Sequence, residues 1–197
     1  MSVYNEILKL ARENNGTVIS KMISEYGYSR GHLKYLVETG KLEKVSRGVY
    51  TMPSVIEDDF LSLQQRFKKG IFSLETSLYL NGLTDRTPLF YTMSFPYSYN
   101  VTNPKSEGIK CKNVTTSLYE QGIINIETQY GNIVKCYNSE KTLCDILKPS
   151  NNVDIQIITE AFKQYVKKKD KNIELLSKYA KEMKVENKVR SYLEVLL

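Results

Sequence analysis

One histidine, His32, and three cysteines, Cys111, Cys136 and Cys144, are all the chain offers for imidazole or thiolate chemistry. A two-histidine metal or acid–base site is out of reach, and no second element sets up a Ser-His-Asp triad. The cysteines are odd in number and form no CxxC pair, which argues against both a zinc site and a disulfide framework; three free thiols fit a reducing cytoplasm. Neither a GxxxxGK[ST] phosphate cradle nor a GxGxxG turn occurs. Glu57, Asp58 and Asp59 are consecutive on one helix and do not converge on a metal ion; they fit a helix start, where acids meet the positive end of the dipole. Glu140, Lys141 and Asp145 come nearest to a nuclease-like cluster of acids and lysine. Lys141 and Asp145, four apart, have the spacing of a helical ion pair. No catalytic constellation, metal site or cofactor motif emerges.

The chemistry that does emerge is recognition of an anion. Residues 17–53, TVISKMISEYGYSRGHLKYLVETGKLEKVSRGVYTMP, read as two short helices joined by a glycine turn and followed by a basic β-hairpin. Gly27 has the backbone freedom to end the first helix, and Ser29 has the side chain to cap the second. Tyr28 and Leu33 fall at the positions of a hydrophobic staple. Leu33, Leu36 and Val37 share one face of the second helix, so Gly31, Lys34, Tyr35 and Glu38 point away from the core. Gly40 stops that helix, and KLEKVSRGVYTM then alternates around Leu42, Val45, Val49 and Tyr50, with Ser46-Arg47-Gly48 as its tip. From Tyr28 to Tyr50 the cations Arg30, Lys34, Lys41, Lys44 and Arg47 stand against Glu38 and Glu43, an electrostatic footprint for phosphates. Arg30, Lys34 and Tyr35 are the candidates for groove or adjacent phosphate contacts, with Ser29 at the helix start. Lys41, Lys44 and Arg47 are the candidates for phosphates beside the hairpin, a wing whose tip reaches backbone or minor groove. His32, at the border of the buried face, is expected to be packed or solvent-facing rather than a base contact.

A net charge of +6 and a pI near 9 favour an anionic partner, with double-stranded DNA the simplest. No apolar run approaches membrane-spanning length, and MSVYNEILKLAREN is an amphipathic helix with acids rather than a signal peptide. A soluble, cytoplasmic protein is expected.

The elements that must position these residues divide the 197-residue chain in three. Val3, Ile7, Leu8, Leu10 and Ala11 recur at helical spacing, so a first helix packs behind the helix-turn-helix in a winged domain of residues 1–53. Residues 54–70 follow as a connector, its helix over 57–69. A C-terminal domain, 71–197, opens with a short helix in FSLETSLYLNGL, closed by Asn81-Gly82. Its β-rich part takes in LFYTMSFPYSYN and strands at 109–117, 123–128 and 132–137, the last two joined through Tyr130-Gly131-Asn132. Phe90, Tyr91, Phe95, Tyr97 and Tyr99 concentrate there. Strand alternation buries about half of such residues, and stacking on nucleotide bases is the alternative. Beyond Asn138 four helical segments run to the end, with Ser139, Asp154 and Asn172 as N-caps. Lys163, Lys167, Lys168, Lys169 and Lys171 form the densest basic run, either a solvated helix end or a second phosphate-contacting surface. The fold class is α+β: a winged helix-turn-helix, then a mainly antiparallel or mixed sheet with several C-terminal helices.

Three blocks in this order, YSRGHLKYLVETGKLEKVSRGVY, FSLETSLYLNGLTDRTP and YNSEKTLCDILKP, resemble the AbiE-type antitoxins of bacterial abortive-infection systems, over roughly residues 4–165. The helix–wing block alone is shared by many repressors, whereas the three together are more telling. The resemblance implies a winged helix-turn-helix with recognition helix 29–39 and wing 41–52, and an antitoxin domain marked by Ser73–Leu83 and Glu140–Asp145. It implies a transcriptional autorepressor that binds inverted repeats in its own operon promoter, with cooperative assembly of two copies on the DNA. It implies further a type IV toxin-antitoxin system of phage resistance, in which a nucleotidyltransferase-like toxin is antagonised without a stable complex. Two other readings stay open: an interaction protein that holds the toxin directly, with DNA binding secondary, and a DNA-targeted, metal-dependent nuclease.

Overall fold

The computed structural model describes residues 2–196. The fold is α+β, and the chain divides into two compact units, Met1–Lys68 with Glu127–Val134, and Lys69–Ile126 with Lys135–Leu197.

The first unit runs α1 (Val3–Glu13), β1 (Thr17–Ile19), α2 (Ser20–Glu25), α3 (Gly31–Glu38), β2 (Glu43–Ser46), β3 (Val49–Thr51) and α4 (Asp59–Arg66). The helical spacing of α1 delivers Ile7, Leu8, Leu10 and Ala11 to one face, where they pack with Val18, Ile23, Leu33, Leu36 and Leu42. The hairpin β2–β3 is joined by β1 into an antiparallel sheet of order β1-β3-β2, with Val18 opposite Tyr50 and Lys44 opposite Tyr50 on the other side. β1 is an addition to the sequence reading, since three residues are too few to display a period of two. The helix expected over 57–69 spans Asp59–Arg66. Asp58 is its cap: Oδ1 accepts from the backbone N–H groups of Phe60 (3.0 Å) and Leu61 (3.3 Å). Its other oxygen accepts from Thr128 Oγ1 (2.6 Å) and Asn132 Nδ2 (2.9 Å), so one buried carboxylate fastens the tip segment Glu127–Val134 to the start of α4. The expected role of acids at this helix start therefore falls chiefly to one residue, and it is a buried one.

The second unit begins with β4 (Ile71–Phe72) and α5 (Leu74–Leu80), then β5 (Thr92–Pro96), α6 (Thr102–Ser106), β6 (Lys110–Val114), α7 (Thr116–Glu120), β7 (Ile123–Glu127) and β8 (Ile133–Tyr137). The sheet order is β6-β5-β4-β8-β7, a mixed sheet in which β4 is antiparallel to β5 and parallel to β8, and β5 is parallel to β6. The strand expected at 109–117 ends at Val114, and Thr116–Glu120 turns helical instead. Then come α8 (Ser139–Ile146), α9 (Ile155–Lys167), α10 (Ile173–Glu182) and α11 (Glu186–Leu196). Leu143, Ile146, Ala161, Phe162, Tyr165, Leu176 and Ala180 form the heart of their core. Asp154 and Asn172 cap as expected, but α8 is capped by Asn138, whose Oδ1 accepts from Lys141 N at 2.9 Å. Ser139 already has helical geometry, and its hydroxyl donates to Asn81 Oδ1 at 3.3 Å.

Candidate nucleic-acid interface

α2 and α3 are joined by a tight turn in which Gly27 adopts φ +80°, a conformation that a residue with a Cβ resists, while Tyr28 N–H donates to Ile23 O at 3.0 Å. Ser29 does not cap α3 as its position suggested. Arg30 is already in the right-handed helical region, the helix starts at Gly31, and Ser29 Oγ accepts from Gly31 N–H at 3.2 Å in a local serine turn. The Tyr28 hydroxyl donates to Glu6 Oε2 at 2.5 Å, tying the turn to α1, and this bond pushes the phenol's pKa up.

Burial of Leu33 and Leu36 determines what α3 presents. Lys34 and Tyr35 face outward, and Lys34 Nζ lies 3.7 Å from Glu38 Oε1 in an exposed i,i+4 pair. Arg30 Nε donates to Ser24 Oγ at 3.2 Å. The Tyr35 ring is 47% exposed and rests on Tyr4 of α1, centroids 4.4 Å apart and planes at 33°. His32 meets the same Tyr4 ring edge-on at 5.3 Å.

Lys41 is exposed just beyond α3, and Lys44 is exposed on β2. Between Lys44 and Ser46 the register of the hairpin shifts, and Arg47 and Gly48 form the tip. Gly48 takes φ +82°, and its carbonyl accepts from Ser20 N–H at 2.8 Å, so the start of α2 holds the tip that carries Arg47. Ser29, Arg30, Lys34, Tyr35, Lys41, Lys44 and Arg47 are all exposed, grouped on α3 with its leading turn and on the hairpin with its approach. Sequence reasoning passed over two supporting residues. Tyr4 carried a signal, since it lies on the apolar side of α1 one turn before Leu8; Ser24 carried none, because its contact with Arg30 crosses a turn.

The remaining candidates fall elsewhere. Lys141 is 1% exposed, and its ammonium sits 2.5 Å from Asp145 Oδ2 and 4.6 Å from the Tyr137 ring centroid. Desolvation pushes the Lys141 pKa down, against the opposing pull of Asp145. The i,i+4 pair expected from the spacing is present, but as an interior pair, with Lys148 Nζ 3.5 Å from Asp145 Oδ1. Glu140 turns away from it to accept from Tyr165 OH (3.0 Å) and Asn172 N–H (3.1 Å), so the three residues do not converge on one open point. The basic run is split: Lys163, Lys167 and Lys169 are exposed, whereas Lys168 donates to Asn81 O and Lys171 to Lys168 O. Among the aromatics, Phe95 is buried and stacks on Tyr99, and exposed Phe90 lies under Lys110 Nζ at 4.7 Å. Among the described residues no helix is long and apolar enough to cross a membrane.

Residues 5–53 match the family described as a transcriptional regulator, AbiEi antitoxin. The family resemblance drawn from the sequence is shown over this segment, and the helix pair within it is consistent with a helix-turn-helix. The chain is also similar in fold to the crystal structure of the RV2827C protein from Mycobacterium tuberculosis, with a TM-score of 0.53 and 14% identity over 92% of this chain and 72% of that one. No curated protein matches the chain.

Proposed function

We propose, from the AbiEi match over residues 5–53, that this chain is an antitoxin that represses its own operon through an N-terminal winged helix-turn-helix. On this reading α3 enters the major groove of double-stranded DNA, with Arg30, Lys34 and Tyr35 at base edges or adjacent phosphates. The hairpin is the wing, and Lys41, Lys44 and Arg47 neutralise backbone phosphates. The observation that carries the reading is that every side chain assigned to the contact is exposed, on a helix and hairpin whose backbones are fixed from behind by α1 and α2. Two copies assemble cooperatively on the inverted repeats of the operator. The remainder of the chain, from residue 71, relieves the toxicity of a nucleotidyltransferase-like protein without a stable complex, as in type IV abortive-infection systems. The protein acts in the cytoplasm.

A gel-shift titration of the full chain on the DNA upstream of its own gene tests the DNA-binding half. Saturable binding that outlasts excess unrelated duplex at physiological salt is expected. Equal affinity for any duplex would overturn operator recognition. Co-expression with the neighbouring toxin gene tests the other half: rescue of growth without co-purification is expected, and a stable complex would favour direct holding of the toxin.

A further inference from the structure

We propose that the second unit holds a small-molecule site that takes a compact zwitterion, an amine or amidine head on an aliphatic stem that ends in a carboxylate or phosphate. The site is a cavity of about 240 Å³ at the start of α8, far more than a single water needs. Two sequence blocks that the DNA-binding reading leaves unused converge on it, since Asn81 belongs to the first and Asn138, Ser139 and Glu140 belong to the second. The hydrogen bond from Ser139 to Asn81 joins them at the cavity wall.

Glu140 supplies the recognition point for the head. It is 7% exposed, and the hydroxyl of Tyr165 and the N–H of Asn172 both donate to the same oxygen, Oε1. The other oxygen, Oε2, accepts no hydrogen bond among the described residues, although the side chain lines the cavity. Oε2 is open to the cavity rather than sealed off, and an ammonium or amidinium is the donor that would both bond it and balance its charge. Lys168 and Lys171, both half-buried, line the same cavity. Each ammonium gives one hydrogen bond to a backbone carbonyl, to Asn81 at 3.1 Å and to Lys168 at 3.2 Å, and each has three protons to give. Asp170, 3.9 Å from Lys168, offsets only part of this charge. The pair remains able to hold an anionic tail, and Ile124 and Ile126 offer the stem an apolar wall.

The test is calorimetric titration of the full chain with two zwitterions, γ-aminobutyrate and O-phosphoethanolamine, and with ethylamine and inorganic phosphate as head alone and tail alone. At least one zwitterion is expected to bind, about tenfold or more tighter than either half, and which one binds tells the carboxylate tail from the phosphate. Glu140→Gln and Lys171→Ala are each expected to weaken that binding about tenfold. Lys171→Ala, near the surface, keeps the test decisive if Glu140→Gln fails to fold. Absence of binding by both zwitterions, equally tight binding of phosphate alone, or binding unchanged in Lys171→Ala would each overturn the proposal and leave Glu140 as a tie between α9 and α10.

Discussion

The ring of Tyr35 on α3 lies against the ring of Tyr4 on α1, 4.4 Å between centroids. An exposed tyrosine on a helix surface ordinarily samples several rotamers; here a neighbour restricts it in the free protein, which lowers the entropy cost of using it in a complex. If α3 reads the operator as proposed, Tyr4→Ala should weaken that binding although Tyr4 is not among the residues assigned to the contact, by up to about tenfold given that such ring pairs contribute about 0.5–1.5 kcal/mol. Tyr4→Phe, which keeps the ring, should leave affinity unchanged. Fluorescence anisotropy on labelled operator measures both, and equal affinity for Tyr4→Ala would remove Tyr35 from the contact.

Lys34→Ala and Arg47→Ala should each lower operator affinity and reduce the slope of log affinity against log salt by about one. The exposed Lys34–Glu38 pair is worth little to the fold, so thermal stability should hardly move for Lys34→Ala. Unchanged salt slopes in both variants would sink the assignment of α3 and the hairpin tip to phosphates or bases.

Asp58 accepts four hydrogen bonds, two from the first turn of α4 and two from the segment 127–134. Asp58→Ala should destabilise the protein by roughly 3 kcal/mol or more, from a lost cap and buried donors left without acceptors. Urea unfolding followed by circular dichroism reads the loss. Asp58→Asn, which keeps an oxygen for the helix N–H groups, should cost less.

Burial pushes the Cys136 and Cys144 thiols up from 9.0 to about 12. The folded state thus holds these protons more tightly than the unfolded chain, and their contribution is complete below pH 9 and lost as pH rises towards about 12. Unfolding midpoints in denaturant should fall across that window, and less steeply in Cys136→Ala. A flat profile would contradict the interior placement of the thiols.

The Lys141–Asp145 pair is a further buried titratable feature. Lys141→Met should destabilise by about 3–5 kcal/mol, because it strips Asp145 of its nearest counter-charge in the interior. The double variant Lys141→Met with Asp145→Leu should recover much of that loss, which chemical denaturation of the three variants can measure. Additive losses would mean that the two side chains do not act as a pair.

The helical spacing of α1 and the Leu33–Leu36 stripe of α3 were legible because a period of 3.6 repeats enough times to stand out from chance. The outward direction of Lys34 and Tyr35 followed from the same stripe. Thr17–Ile19 and the short helices Thr102–Ser106 and Thr116–Glu120 were not legible, since elements this short owe their form to neighbours rather than to any period of their own. The cap of α8 moved from Ser139 to Asn138 because two adjacent cap-forming residues are equivalent in sequence, and Asn81 draws the serine hydroxyl elsewhere.

By itself, then, the sequence determined the helix pair, the basic hairpin and the exposure of the side chains offered to an anion, because these depend on local period, glycine turns and charge. Only the tertiary structure decided that Tyr35 rests on Tyr4, that Asp58 serves two segments some seventy residues apart, and that Glu140 faces a cavity while Lys141 is enclosed. Those outcomes depend on which distant segments come within hydrogen-bond and van der Waals reach. Ion-pair spacing along a helix reads the same whether its face meets water or the core.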